Sequence, residues 1–113
     1  AKRLVLCTGK LFYELQEMQL KKKLTDVAIV RLEQLFPFPE KQIAAIMKKY
    51  KQAEIIWAQE EPMNMGYWSF MLRMLPETKM KLVSRKASAS PATGYNKVHK
   101  AEQEKIIAGA LGI

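Results

Sequence analysis

The chain has 113 residues, one domain's worth, since domains run to about 100–200 residues. Hydrophobic residues make up 49% and charged residues 27%, which excludes a disordered tail, a collagen-like repeat and a disulfide miniprotein. Nineteen Lys and Arg against eleven acids give a net charge of +8, which raises a nucleic-acid alternative, but the cations are scattered along the chain.

Leu4-Val5-Leu6-Cys7 is a short continuous apolar run and predicts a strand buried on both faces. Thr8-Gly9-Lys10 makes the turn; it lacks the glycine spacing of a nucleotide loop, so it reads as structural. Leu11, Leu15 and Met18 then recur at helical spacing, and the lysines at 21–23 close that helix. Val27–Val30 predicts a second buried strand, and Phe36-Pro37-Phe38-Pro39 breaks regular structure. Ile43, Ile46, Met47 and Tyr50 mark an amphipathic helix. Ile55–Ala58 predicts a third buried strand, with Gln59–Gly66 as the loop behind it. Tyr67–Leu75 reads as a short helix stopped by Pro76. Lys79–Leu82 alternates polar and apolar residues, as a sheet edge with one wet face and blunting lysines does. Residues 84–95 read as a loop, and Lys97–Leu111 as a last helix.

Strict strand–helix alternation predicts one α/β domain over residues 1–113: a three-layer sandwich with a mainly parallel, possibly mixed sheet and helices on both faces. No apolar run approaches the roughly 18 residues of a membrane span, so no membrane partner is expected. Ala1 stands where an initiator Met would, so the chain reads as a piece of a longer one. Cys7 has no partner for an internal disulfide, which fits a reducing compartment.

The catalytic inventory is small. A metal site needs clustered ligands, and the adjacent Glu60 and Glu61 point to opposite faces of a strand. Cys7, inside an apolar strand, reads as a core thiol rather than a nucleophile. His99 falls in the first turn of the last helix, where capping or an interface contact competes with an acid–base role. Two segments stand out. One is the loop after the third strand, whose Glu60, Glu61, Asn64, Gly66 and Trp68, with Met63, Met65, Tyr67, Phe70 and Met71, form a candidate interface, since Met and aromatics enrich in interface cores. The other joins Ser88, Ser90, Thr93 and Gly94 to Lys97, His99 and Lys100, with Arg73 or Arg85 nearby. Hydroxyls, a flexible glycine and cations before a helix start suit an anionic effector such as a nucleotide or a coenzyme A derivative.

Several segments together resemble one enzyme family. Leu6-Cys7-Thr8-Gly9-Lys10 is similar to an LCSGK opening. Val30-Arg31-Leu32-Glu33-Gln34-Leu35-Phe36-Pro37-Phe38-Pro39 is similar to VR(I/L)EQL(Y/F)PFP. Gln59-Glu60-Glu61-Pro62-x-Asn64-x-Gly66-x-Trp68 resembles QEEPxNxGxW, and Ser88–Gly94 with Lys97-Val98-His99 resembles SASPATG…KVH. In this order, over nearly the whole chain, they resemble the C-terminal, transketolase-like domain of 2-oxoglutarate dehydrogenases. The resemblance implies a homodimeric parent that uses thiamine diphosphate and Mg²⁺, decarboxylates 2-oxoglutarate and passes the succinyl group to dihydrolipoyl succinyltransferase in the citric acid cycle. It implies a cytoplasmic location in a bacterium and the mitochondrial matrix in a eukaryote. In that family the cofactor contacts lie in the preceding catalytic domains. The GDG signature is absent here, so no catalytic, cofactor-binding or metal residue is assigned to this chain, and the fragment alone is expected to be inactive. What remains is a role in assembly, against those catalytic domains and the second subunit, with effector binding beside it.

Overall fold

A computed structural model describes residues 1–85 and 96–113. Four strands and four helices alternate: β1 (Arg3–Cys7), α1 (Leu11–Lys22), β2 (Val27–Arg31), α2 (Glu40–Lys49), β3 (Glu54–Pro62), α3 (Trp68–Met74), β4 (Met80–Arg85) and α4 (Asn96–Leu111). The strands form one sheet in the order β2-β1-β3-β4, and every pairing is parallel. The sheet described is therefore purely parallel rather than mixed.

The layering follows from crossover handedness. The chain moves outward from β1 to β2 and then returns past β1 to β3. Right-handed connections then place α1 on one face and α2 with α3 on the other. The packing agrees. Val5, Cys7, Ile56 and Ala58 meet Leu11 and Leu15 of α1 and Ile106 and Ala110 of α4. On the other face Leu4, Leu6 and Trp57 meet Ile43 of α2 and Met71 of α3. The inner strands β1 and β3 are covered on both sides, which is why they read as unbroken apolar runs. At the amino edge of the sheet, Arg3 Nη1 donates to the carbonyls of Gly109 and Ala110 at 3.3 and 3.4 Å, tying down the end of α4.

One boundary differs in a way that matters. The sequence gives Gln59–Pro62 to a loop, but β3 runs on through Pro62. The strand survives there because β4 also runs on: Pro62 pairs with Arg85, after a shift of register between Ala58 and Pro62. A bulge of this kind bends the strand and re-aims the side chains beyond it. Likewise Ser84 and Arg85, read as loop, are strand residues.

Candidate functional site

The order of strands reverses at β1. The crevice between the carboxyl ends of β1 and β3 is therefore the topological switch point, where open parallel sheets bind ligands. Lys10 enters it from the start of α1, Glu60 from β3, Arg85 from the end of β4, and Glu102 and Gln103 from α4.

These groups form one connected network. Lys10 Nζ donates to Glu60 Oε1 at 2.8 Å and lies 3.5 Å from Glu14 Oε1. Gln103 Nε2 donates to the same Glu60 oxygen at 2.7 Å and to Glu14 Oε2 at 2.6 Å. Gln103 Oε1 accepts from Arg85 Nη2 at 2.9 Å, and Arg85 Nη1 pairs with Glu102. The hydrogen bond to Glu60 holds the Lys10 ammonium above its usual range. Arg85 is the anchor: its side chain is only 10% exposed, against 70% for Lys10. Each carboxylate is met by a cation or an amide, so the network links α1, β3, β4 and α4. A free general base does not emerge from it.

The segment after Glu60 is braced from below by Gln59, which is 4% exposed. Its Oε1 accepts from Trp57 Nε1 at 2.9 Å. Its Nε2 lies within donating range of the carbonyls of Glu61, Pro62 and Met65, at 3.2, 2.9 and 2.9 Å. Gly66 closes the turn at φ +71°, and a Cβ there would lie 3.1 Å from Gln59 Oε1. Gln59 carries no role in the sequence pattern beyond its place in the QEEP match. The usable signal was periodicity: two residues beyond buried Trp57 on the same strand, Gln59 shares its face.

The candidate interface residues separate into four groups. Glu60 belongs to the network and Gly66 to the turn. Met71 is fully buried and Trp68 packs on the core, so both lie inward of the surface suggested by the sequence. Glu61, Asn64, Met63, Met65 and Tyr67 are exposed. Phe36, which the sequence marked only as a breaker, is 64% exposed and stands against Phe70 with ring centroids 4.7 Å apart.

The anionic-effector residues are brought together only in part. Arg85 and His99 line one crevice with Lys10 and Glu60. Lys100 is exposed on α4. Arg73 closes α3, on the opposite face of the sheet from α4, and does not join them. Ser88, Ser90, Thr93, Gly94 and the side chain of Lys97 lie outside the described residues. Cys7 is fully buried, and that burial pushes its thiol up to about 12, in keeping with a core role.

Among the described residues no three His, Cys, Asp or Glu side chains gather as metal ligands, and no helix is long and apolar enough to cross a membrane. The donor set at the switch point, with its carboxylates already paired, does not fit a Mg²⁺–diphosphate group.

Architecture and site thus define a three-layer parallel α/β domain whose switch point is closed by a structural network. Residues 1–111 match the family model described as 2-oxoglutarate dehydrogenase C-terminal, and the chain belongs to that family. It is 44% identical over 98% of its length to the oxoglutarate dehydrogenase of Buchnera aphidicola, covering 13% of that protein. It is 42% identical over 97% of its length to the 2-oxoglutarate dehydrogenase E1 component of Cupriavidus necator, covering 12%. It is 44% identical over 99% of its length to the multifunctional 2-oxoglutarate metabolism enzyme of Mycolicibacterium vanbaalenii, covering 10%. The chain therefore spans about one-eighth or less of these relatives. Neither the family nor the relatives support the nucleic-acid alternative.

Proposed function

We propose that this chain is the C-terminal assembly domain of a larger 2-oxoglutarate dehydrogenase E1 component. The observation that carries this is an end-to-end family match on a chain that spans only 10–13% of its relatives. The parent decarboxylates 2-oxoglutarate and delivers the succinyl group to dihydrolipoyl succinyltransferase. Thiamine diphosphate and Mg²⁺ supply the carbanion chemistry and are bound by the preceding domains, while this chain braces them and contributes to a homodimer. The location is the cytoplasm in a bacterium or the mitochondrial matrix in a eukaryote.

The test is a pair of assays on the full-length parent. The intact protein is expected to release CO₂ from 2-oxoglutarate only with thiamine diphosphate and Mg²⁺, and a version truncated before this domain is expected to lose that activity. Absence of cofactor-dependent CO₂ release from the intact protein would refute the reading. The isolated chain is expected to show no calorimetric binding of the cofactor.

A second reading concerns regulation. Lys10, Arg85 and His99 converge on one crevice, which favours an anionic effector there. Such a ligand would have to compete with Glu102 for Arg85. Loss of the crevice cation in Lys10→Ala should weaken effector binding to the parent about tenfold; unchanged binding of nucleotides and acyl-coenzyme A would remove the reading.

A further inference from the structure

The cations that are scattered in sequence are sorted by the topology. All four strands point the same way, so their amino ends, and the carboxyl ends of the helices that feed them, share one end of the domain, opposite the crevice of the network. Lysines 21–23 lie at the close of α1, and Lys48, Lys49 and Lys51 lie at the close of α2. Lys2 and Lys79 precede β1 and β4. All of these lysines are exposed, and among the described residues none makes an ion pair. Of the carboxylates at this end, Glu54 is taken by Arg3 at 3.3 Å and by Lys81. Asp26 and Glu77 are left to answer all the rest. Helix capping does not account for the excess. A helix carboxyl end carries about half a negative charge, whereas α1 alone ends on three lysines, and Lys2, Lys51 and Lys79 stand outside helices. Such a face repels itself, and it cannot be buried against an apolar surface without stripping the hydration of its ammonium groups. It stays in water or meets matching negative charge.

We infer that this lysine-rich amino end of the sheet is a docking surface for an acidic polypeptide segment of a separate protein. Charge complementarity selects the class of partner. A nucleic acid would stack its bases on aromatic rings, but among the described residues no exposed aromatic stands at this end. Tyr50 is half-buried against the core and has Lys49 Nζ 5.4 Å from its ring centroid. The planar fork of arginine, which grips phosphate in a bidentate way, is also missing from the free charges. The one arginine here, Arg3, is held by Glu54 and by the carbonyls of Gly109 and Ala110. A membrane surface would call for a broad apolar face among the lysines. The end of α1 offers Leu20, 73% exposed and next in the chain to lysines 21–23. One leucine ringed by ammonium groups suits a peptide that carries carboxylates around an apolar side chain of its own.

Fluorescence anisotropy on the full-length parent tests this. The probe is a labelled peptide of Glu and Ser with two leucines at its centre. It should bind, and binding should weaken as salt is raised. The Lys22→Gln/Lys49→Gln double variant should lose about tenfold in affinity. The Lys41→Gln/Lys105→Gln variant removes the same charge from exposed positions elsewhere, at the start of α2 and within α4, and should lose less than about twofold. Leu20→Ser should weaken the leucine-bearing peptide about threefold or more and leave a version with Ser in place of Leu unchanged. No binding, or equal losses in the two double variants, would overturn the inference. Tighter binding of single-stranded or duplex DNA, or of phosphatidylserine vesicles, lost in the same Lys22→Gln/Lys49→Gln variant, would overturn it in favour of a nucleic acid or a membrane. The surface belongs to this chain itself and the readout is not activity, so a parent without 2-oxoglutarate chemistry would refute the proposed function and leave this result standing.

Discussion

Replacing Gln59 with Leu roughly keeps the volume of the side chain and removes both the acceptor for Trp57 and the two N–H groups that face the carbonyls of Glu61, Pro62 and Met65. Trp57 is fully buried, so its indole N–H would lose its partner with no water to replace it. The Pro62 carbonyl is buried as well. The Glu61 and Met65 carbonyls are partly open and can turn to solvent. The Pro62 carbonyl keeps the Met65 N–H as a partner at 2.9 Å, so only the Trp57 indole carries the full penalty, at about 1–3 kcal/mol for a buried group left unpaired. The expected cost is about 1–3 kcal/mol, a sizeable fraction of the roughly 5–15 kcal/mol that stabilises an ordinary domain. At about 4 °C per kcal/mol for a chain of this size, the melting temperature should fall by roughly 4–12 °C. Urea unfolding followed by tryptophan fluorescence measures it directly, and amide exchange of Met65 should accelerate in the folded state. A loss below about 1 kcal/mol, within reach of an ordinary surface substitution, would show that Gln59 is not the brace described here.

Two further outcomes follow from the same structure. Gly66 and Gly9 both have positive φ, at +71° and +66°, but a Cβ at Gly66 would press on Gln59 and Glu61 while one at Gly9 meets nothing within 4 Å. Gly9→Ala should cost only the left-handed backbone term of about 1–2 kcal/mol, and Gly66→Ala should cost clearly more by urea titration; equal costs would refute the close approach. Cys7 supplies a pH dependence. Its folded thiol is held at about 12 against an ordinary 9.0, so above pH 9 the unfolded chain releases its proton first and the native state loses stability as pH rises toward 12. Between pH 9 and 12 the loss due to this group is about 1.4 kcal/mol per pH unit. It should be absent from the pH profile of Cys7→Ala and appear as the difference between that variant and the unmodified protein, and identical pH profiles of the two would contradict the burial of the thiol.

Strand–helix alternation, the two-faced burial of β1 and β3, and the positions of all eight elements were legible in the sequence, because hydrophobic period and turn residues are local signals. Family membership was legible as well, because its motifs are contiguous. The extent of β3 was not. Gln59–Pro62 has no strand pattern of its own, and it is a strand because β4 arrives beside it after a bulge. The same distance hid the network. Lys10, Glu60 and Gln103 are 50 and 43 residues apart in sequence, and no periodicity links them; the reversal of strand order at β1 brings them to one crevice. Met71 and Tyr67 are neighbours in one Met- and aromatic-rich stretch, yet one is fully buried and the other 41% exposed. Composition gives both the same reason to leave water. Which of them does so is decided by the sheet face that α3 covers, and that exists only once the strands have paired.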